Sequence, residues 1–206
     1  MNAGDIKRGF KAIAEAMDLN YDLLTRLDSE AGDGDLGVSM KRGFSAVSEA
    51  AGRNDSPDVG RLLASAAATL NEASPSTLGT IISTGLLACG KALRGKTEVE
   101  PPEAAEALAT GLDAIMKRSG AKPGEKTILD SLIPAQRALA SAAREGLNGA
   151  DALRLASEAA SAGCEHTKGM KAVHGRAAYY TEASVGRQDG GATVGKIIFS
   201  CLIPMV

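Results

Sequence analysis

The chain has 206 residues, of which 44% are hydrophobic and 23% charged, and its formal net charge is −2. This size and balance fit one globular domain that buries its own core, and they lack the basic footprint of a nucleic-acid binder. Only 3% of the residues are aromatic, so the composition favours a core of packed helices rich in alanine and leucine.

Cysteine usage and hydropathy bear on the compartment. The three cysteines, Cys89, Cys164 and Cys201, are far apart in the sequence and odd in number, which is typical of a reducing compartment. The N-terminal residues lack the apolar stretch of a signal peptide, and the longest apolar tract, 197–206, is too short to span a bilayer. These features predict a cytoplasmic protein without a membrane segment.

The spacing of apolar residues predicts eight helices and no strand. Phe10, Ile13, Met17, Tyr21 and Leu24 recur at steps of three and four, which predicts one helix over 4–26. The second helix is predicted over 38–51, and the third begins at Ser56–Pro57–Asp58 with Ser56 as its cap. The fourth is predicted over 80–93, and the fifth begins at Pro101. The last three helices are predicted over 127–145, 150–163 and 192–202. Short connections predict an all-α, antiparallel eight-helix barrel or bundle that forms a single domain over 1–206.

The strongest local pattern is an acidic loop, residues 28–37, with the sequence DSEAGDGDLG. Asp28, Asp33 and Asp35 repel one another unless a cation lies among them, and carboxylate oxygens suit magnesium or calcium. A helix predicted directly after the loop offers free N–H groups to an anion beside the metal. A solvated turn in which Asp35 caps that helix is the alternative. An EF-hand is excluded, because its twelfth position counted from Asp33 is Phe44 instead of glutamate.

Three other loops precede predicted helices. The residues from Ala73 to Thr77 and from Lys122 to Thr127 have the composition of capping turns. Asp189–Gly190–Gly191 is interpreted as a capping turn, with a backbone contact to a ligand as the alternative. His166 and His174 are eight residues apart in a loop-like region and do not form a metal-ligand pattern with a paired acidic residue, so surface or capping roles are expected instead of metal ligation.

Three segments resemble the dihydroxyacetone kinase L-subunit family. LDSEAGDGDLGVSMKRGF at 27–44 is similar to the family's D-x4-GDGDHG loop and the helix after it. KPGEKTILDSLIPA at 122–135 resembles PGDKTMLDALIPA, and GRAAYYTEASVGRQDGGA at 175–192 resembles GRASYLGERSIGHQDPGA. The segments occur in the family's order and at similar spacing, so the resemblance covers nearly the whole chain.

The resemblance implies a barrel of eight antiparallel helices that binds ADP or ATP at one end. Asp28, Asp33 and Asp35 would hold two Mg²⁺ ions that bridge the phosphates. The nucleotide-binding residues carried over are Leu36, Gly37, Ser39, Ala73, Ser74, Ser119, Ile128, Arg176, Asp189, Gly190 and Gly191.

The chain departs from the family pattern at four positions. Leu36 stands in place of a histidine, and Gly190 in place of a proline. Glu72 and Pro75 stand where the phosphate loop usually has glycine, which leaves fewer free backbone N–H groups near the phosphates.

The resemblance also implies an activity. The chain would be a phosphotransferase subunit of glycerol metabolism that is active only with a separate K subunit, which holds a short ketose covalently. Either ATP exchanges freely, or ADP stays bound and is recharged by a phosphotransferase-system protein. The sequence leaves this choice open, together with homodimer formation and the identity of the ketose. The rival interpretations are a non-catalytic nucleotide-binding helical module and the equivalent subunit of a kinase for another short sugar.

Overall fold

The computed structural model describes residues 1–30 and 32–203, apart from the side chains of Tyr180 and Thr181, and this part of the chain is helical without a strand. Its α-helices are α1 (Ala3–Leu19), α2 (Tyr21–Ser29), α3 (Leu36–Gly52), α4 (Val59–Ala73), α5 (Thr77–Ala92), α6 (Pro101–Ser119), α7 (Leu129–Arg144), α8 (Gly149–His166) and α9 (Gly190–Leu202). Two 3-10 helices, Thr167–Gly169 and Arg176–Ser184, lie in the α8–α9 connection, residues 167–189.

Eight of these helices form a closed ring. α1 packs against α3, each helix from α3 to α9 packs against the next one, and α9 packs back against α1. The short α2 lies against α3 and α9. Because most connections are short, neighbouring helices run antiparallel. The predicted all-α eight-helix barrel is confirmed.

The interior of the ring is built from the apolar faces that the sequence predicts. Since i, i+3 and i+4 positions share one side of a helix, these residues point inward together. The largest side chains with almost no exposure are Phe44, Met17, Leu24, Met40, Leu62, Leu70, Leu129, Val47, Val59, Val99 and Val194. Within the described residues, no helix is both long and apolar enough to cross a membrane.

Helix α7 contains an internal proline that shapes its contact with α8. Pro134 has no N–H, so the carbonyl of Asp130, four residues earlier, lacks its usual helical partner. That carbonyl lies against the α-carbon of Gly163 in α8, where an added Cβ would collide with it. The two helices therefore approach closely at this level.

Three local predictions were wrong in detail. The helix predicted over 4–26 ends at Leu19, because Asn20 has non-helical dihedral angles and its side-chain amide donates to the Ala16 carbonyl at 2.8 Å. A new helix then continues to Ser29, so Asp28 is helical. The cap of α4 is Asp58 and not Ser56, since the Asp58 carboxylate accepts the Arg61 N–H at 3.0 Å.

Candidate functional site

The acidic loop brings its three carboxylates together. Asp28 lies in the last turn of α2, and Asp33 and Asp35 precede α3. Each of the three offers a carboxylate oxygen within 4.8 Å of the others, and among the described residues this is the one such group that could hold a metal ion. Oxygen atoms at this separation can ligate one hard cation or two adjacent ones.

Asp35 occupies the N-cap position of α3, but its side chain makes no capping hydrogen bond. Instead, the Leu36 N–H donates to Oδ2 of Asp28 at 3.3 Å. Desolvation, followed by the negative charges of Asp33 and Asp28, raises the pKa of Asp35. The carboxylate of Asp35 is therefore held in a repulsive environment without serving as a helix cap, which weakens the interpretation of this loop as an ordinary capping turn.

The first turns of three helices meet beside this loop. An added Cβ on Gly190, at the start of α9, would lie 2.7 Å from Cδ2 of Leu36, at the start of α3. One on Gly191 would lie 3.3 Å from the nitrogen of Ile128, which immediately precedes α7. Helix N-termini carry free N–H groups and partial positive charge, so this end of the barrel suits an anion.

A cavity of about 650 Å³ opens at this end. Its walls come from the α4–α5 junction, the end of α6, the α6–α7 turn (residues 120–128) and the α8–α9 connection. The lining residues include Ser76, Thr77, Arg118, Ser119, Thr127, Ile128, His174 and Gly175. This volume is adequate for a small-molecule ligand, and Arg118 contributes positive charge for an anionic one.

The α8–α9 connection joins the cavity to the acidic loop. Gly175 lines the cavity, and the next residue, Arg176, places Nη1 at 2.6 Å from Oδ2 of Asp33. Farther along the connection, Nη1 of Arg187 donates to the carbonyl of Glu30 at 2.8 Å. The cavity and the carboxylate cluster are therefore adjacent parts of one candidate site.

The α6–α7 turn is held by charged side chains that the sequence analysis did not single out. The buried carboxylate of Asp130 accepts the N–H groups of Gly124 at 2.6 Å and Thr127 at 2.7 Å. A carboxylate oxygen of Glu125, Oε2, lies 2.6 Å from Nε2 of His174, and this hydrogen bond lowers the pKa of Glu125. Lys126 is buried and points into the α8–α9 connection. A buried lysine bonded to main-chain carbonyls leaves no recognisable pattern in a sequence.

The predicted nucleotide residues fall into two groups. Ser119 and Ile128 line the cavity, while Leu36, Arg176, Gly190 and Gly191 are linked to the acidic loop or to the helix starts beside it, as described above. Asp189 caps α9 by accepting the Ala192 N–H at 2.7 Å, as the capping interpretation expected.

The other predicted residues are placed differently. Ser74 is buried, and the cavity is lined by Pro75, Ser76 and Thr77 instead of Ala73 and Ser74. Gly37 is buried and Ser39 half-buried, both in the first turns of α3. Nucleotide contact at every one of these positions remains a prediction.

The fold and the site together define a class: a helical barrel with an acidic, cation-binding candidate site beside a cavity at one end. Comparison with known proteins narrows that class. Residues 30–203 match the family model of the DAK2 domain, so the chain belongs to the DAK2 domain family. The resemblance found in the sequence is confirmed.

Two relatives and one solved structure are similar to this chain over most of its length. The chain is 34% identical over 170 residues to the PEP-dependent dihydroxyacetone kinase, ADP-binding subunit DhaL of Escherichia coli (strain K12), covering 82% of this chain and 81% of that one. It is 32% identical to a D-erythrulose kinase of Mycolicibacterium smegmatis, covering 91% of this chain but 33% of the relative. The dihydroxyacetone kinase of C. freundii in complex with AMP-PNP and Mg²⁺ superposes with a TM-score of 0.75 at 24% identity, over 96% of this chain and 33% of that one. The structural likeness establishes the fold, and the chain spans about a third of the two longer kinases.

Proposed function

We propose that this chain is the nucleotide-binding, phosphoryl-donating subunit of a dihydroxyacetone-type kinase. The observation that carries the proposal is the cluster of Asp28, Asp33 and Asp35 beside a cavity whose wall includes the N-terminal turns of α5 and α7. The E. coli relative, which this chain matches over most of its length, is by its name an ADP-binding subunit. The matched fold in C. freundii was solved with AMP-PNP and Mg²⁺.

The residues present fit a magnesium nucleotide. The three aspartates provide hard oxygen ligands, and their mutual repulsion is relieved when a divalent cation neutralises them. The adjoining cavity contains Arg118 and the hydroxyls of Ser76, Thr77 and Thr127, which can hydrogen-bond a ribose or phosphate. We propose that the base and ribose occupy this cavity while the phosphates extend toward the acidic loop.

In this proposal the chain's residues bind and orient the donor. Magnesium, held by Asp28, Asp33 and Asp35, would supply charge neutralisation for the phosphate oxygens. Arg176 brings a guanidinium to the same place, since it already contacts Asp33. The N-termini of α3 and α9 direct free N–H groups there. Phosphoryl transfer needs positioning and charge stabilisation more than covalent chemistry, so no residue of this chain has to form an intermediate.

The acceptor in this proposal is a short ketose bound by a separate subunit. Dihydroxyacetone is the primary candidate, and the D-erythrulose kinase among the relatives extends the class to four-carbon ketoses. The E. coli relative is PEP-dependent by name, so a phosphotransferase-system protein that recharges bound ADP is part of the proposal for this chain.

Calorimetric titration of ADP in the presence and absence of Mg²⁺ tests the binding step. We expect Mg²⁺-dependent binding by the wild-type chain and an affinity weaker by about 100-fold or more for Asp33→Ala, because one metal ligand is lost. The matched control is Asp55→Ala, which removes an exposed aspartate of the α3–α4 connection. Equal ADP affinities for the Asp33→Ala and wild-type proteins would show that the acidic loop is a structural turn that does not bind the nucleotide.

A second measurement concerns the need for a partner. The purified chain with ATP, Mg²⁺ and dihydroxyacetone should produce no phosphorylated ketose, because the proposal assigns ketose binding to another subunit. Steady turnover by the chain alone would overturn the two-subunit proposal while leaving nucleotide binding in place.

A further inference from the structure

Lys126 is a buried charged residue in an uncommon backbone conformation. The residue is 5% exposed, and its backbone has a φ of 61°, a conformation that non-glycine residues rarely adopt. Desolvation lowers the pKa of Lys126. A buried ammonium is unfavourable unless polar groups surround it, so its contacts show which part of the fold depends on it.

The ammonium of Lys126 ties together both ends of the α8–α9 connection. It donates hydrogen bonds to the main-chain carbonyls of Met170, Ser184 and Arg187. These acceptors are 44, 58 and 61 residues away in the sequence. One side chain in the α6–α7 turn therefore fixes the path of a connection that crosses from α8 to α9.

Glu125 adds two contacts to the middle of the same connection. Its main-chain carbonyl accepts the Val173 N–H at 3.4 Å, and its carboxylate contacts Nε2 of His174 at 2.6 Å. Glu125 and Lys126 together hold the connection before, within and after the part that lines the cavity. We call this pair the clasp.

The clasp joins two segments that both contribute residues to the candidate site. On one side, the α6–α7 turn contributes Thr127 and Ile128 to the cavity wall. On the other, the α8–α9 connection contributes Gly175 to the cavity and Arg176 to the acidic loop. If the clasp opened, the connection could move away from the cavity, and the wall and Arg176 would move with it.

We propose that Lys126 is a positioning residue that keeps the α8–α9 connection closed over the bound nucleotide and so sets the rate at which the nucleotide leaves. The inference rests on the proposed nucleotide binding. It assigns Lys126 no contact with the nucleotide, since its bonding capacity is used by the three carbonyls.

The test compares Lys126→Met with Lys171→Met, which removes an exposed lysine paired with Glu182 inside the same connection. Dissociation of a fluorescent mant-ADP in Mg²⁺ is followed by stopped flow. We expect at least about tenfold faster dissociation for Lys126→Met, because three main-chain carbonyls, including that of the buried Ser184, lose their donor, and a change within about twofold for Lys171→Met. The association rate should stay the same. Lys126→Arg, which restores a multivalent donor, should return part of the slow dissociation.

Amide hydrogen exchange without nucleotide separates positioning from general destabilisation. In Lys126→Met, exchange should accelerate within 167–189 while the core of α3, α4 and α5 keeps its protection. Uniform acceleration across the chain would indicate a purely structural role and overturn the proposal. Faster exchange in the connection without faster dissociation would overturn the retention role.

A measurement on the wild-type chain keeps the proposal testable even if Lys126→Met does not fold. Under mild acetylation, Lys126 should react far more slowly than Lys171, and Mg²⁺–ADP should slow it further. Equal labelling of the two lysines would overturn the clasp. If wild-type protein fails to bind ADP in Mg²⁺, the proposed function fails, and the exchange and labelling results still decide on the clasp.

Discussion

The acidic loop and the α6–α7 turn lie at the same end of the barrel, and they satisfy their charges in opposite ways. In the acidic loop three carboxylates offer oxygens within 4.8 Å of one another, and desolvation, followed by the charges of Asp33 and Asp28, raises the pKa of Asp35. In the turn, Glu125 is matched by His174, Lys126 by three carbonyls, and Asp130 by two N–H groups. We call the acidic loop electrostatically incomplete, because its carboxylates still repel one another. We call the α6–α7 turn complete, because each of these charged side chains has a hydrogen-bond partner.

The difference shows which of the two regions becomes more stable when a ligand binds. An incomplete cluster gains stability from a cation, so it couples binding to folding free energy. A complete turn gains nothing from a ligand, but it holds the cavity wall in a fixed position before the ligand arrives. Substitutions in the two regions should therefore change the stability of nucleotide-free protein in opposite directions.

The largest expected effect is the loss of the Asp130 carboxylate. Asp130→Ala leaves the N–H groups of Gly124 and Thr127 without their carboxylate acceptor and should lower the free energy of unfolding by about 2 kcal/mol. Asp35→Asn should leave it unchanged or raise it by up to about 1 kcal/mol, because a repelled charge is removed at a solvent-exposed position. Urea denaturation without nucleotide measures both, with the exposed Asp113→Ala as control. If Asp130→Ala had the same free energy of unfolding as wild type, the proposed difference between the two regions would be wrong.

The second prediction concerns pH and Asp189. Desolvation raises the pKa of Asp189 to about 6, against the opposing effects of the Ala192 N–H and Lys126. Because the folded state holds this proton more tightly, the stabilising contribution is complete below the unfolded pKa of about 3.9 and is lost as the pH rises through the folded value. Asp189→Asn removes the ionisation but can still cap α9.

Denaturation of both proteins from pH 4 to 7 measures this contribution. The stability of Asp189→Asn relative to wild type should increase with pH by on the order of 2 kcal/mol. Asp113→Asn, at an exposed position on α6, should show no such trend. A stability difference independent of pH would mean that Asp189 titrates alike in the folded and unfolded chains.

The smallest expected effect concerns two of the four departures from the family pattern, Leu36 and Gly190, which lie next to each other. Leu36 and Gly190 are in contact range, since a Cβ on Gly190 would lie 2.7 Å from Cδ2 of Leu36. A histidine at position 36 can hydrogen-bond a phosphate, whereas leucine can only pack. Leu36→His should slow ADP dissociation by about threefold to tenfold, which corresponds to one net hydrogen bond.

Proline suits the first turn of α9, but Gly190→Pro alone requires Leu36 to move. The effects of the two changes on ADP dissociation should therefore be non-additive in a double-mutant cycle followed by stopped flow. Additive effects and an unchanged dissociation rate for Leu36→His would remove this pair from nucleotide retention. Tightly retained ADP in wild-type protein would argue against free exchange of ATP.

The sequence predicted the helices well because their signal is local. Phe10, Ile13 and Met17 mark an inward face whatever the partners of the helix are, and all three are buried. The break at Asn20 could not be found in the same way, since the apolar stripe continues to Leu24 across it. Asn20 ends α1 through a side-chain bond to a carbonyl, which competes with helix geometry without disturbing the apolar pattern.

The residues of the candidate site also differ in whether their contacts are visible in the local sequence. Asp28, Asp33 and Asp35 are close in sequence, so their clustering was predictable from their spacing, and their mutual repulsion pointed to a cation. The cavity wall joins residues between positions 71 and 175, and the lysine of the clasp binds main-chain carbonyls 44 to 61 positions away, which any residue type could supply. Such contacts depend on the packing of α6, α7 and α8 and have no signature in the local composition.

The contact between Asp130 and Gly163 also limits how such a sequence can change over time. The side chain of Asp130 organises the turn beside the cavity, while its carbonyl, released by Pro134, lies against the bare α-carbon of Gly163. A methyl group at position 163 would push on the residue that shapes the cavity wall, although Gly163 does not line that cavity. In a saturation library, position 163 should therefore be among the least tolerant of α8, and substitutions accepted there should be found together with a replacement of Pro134.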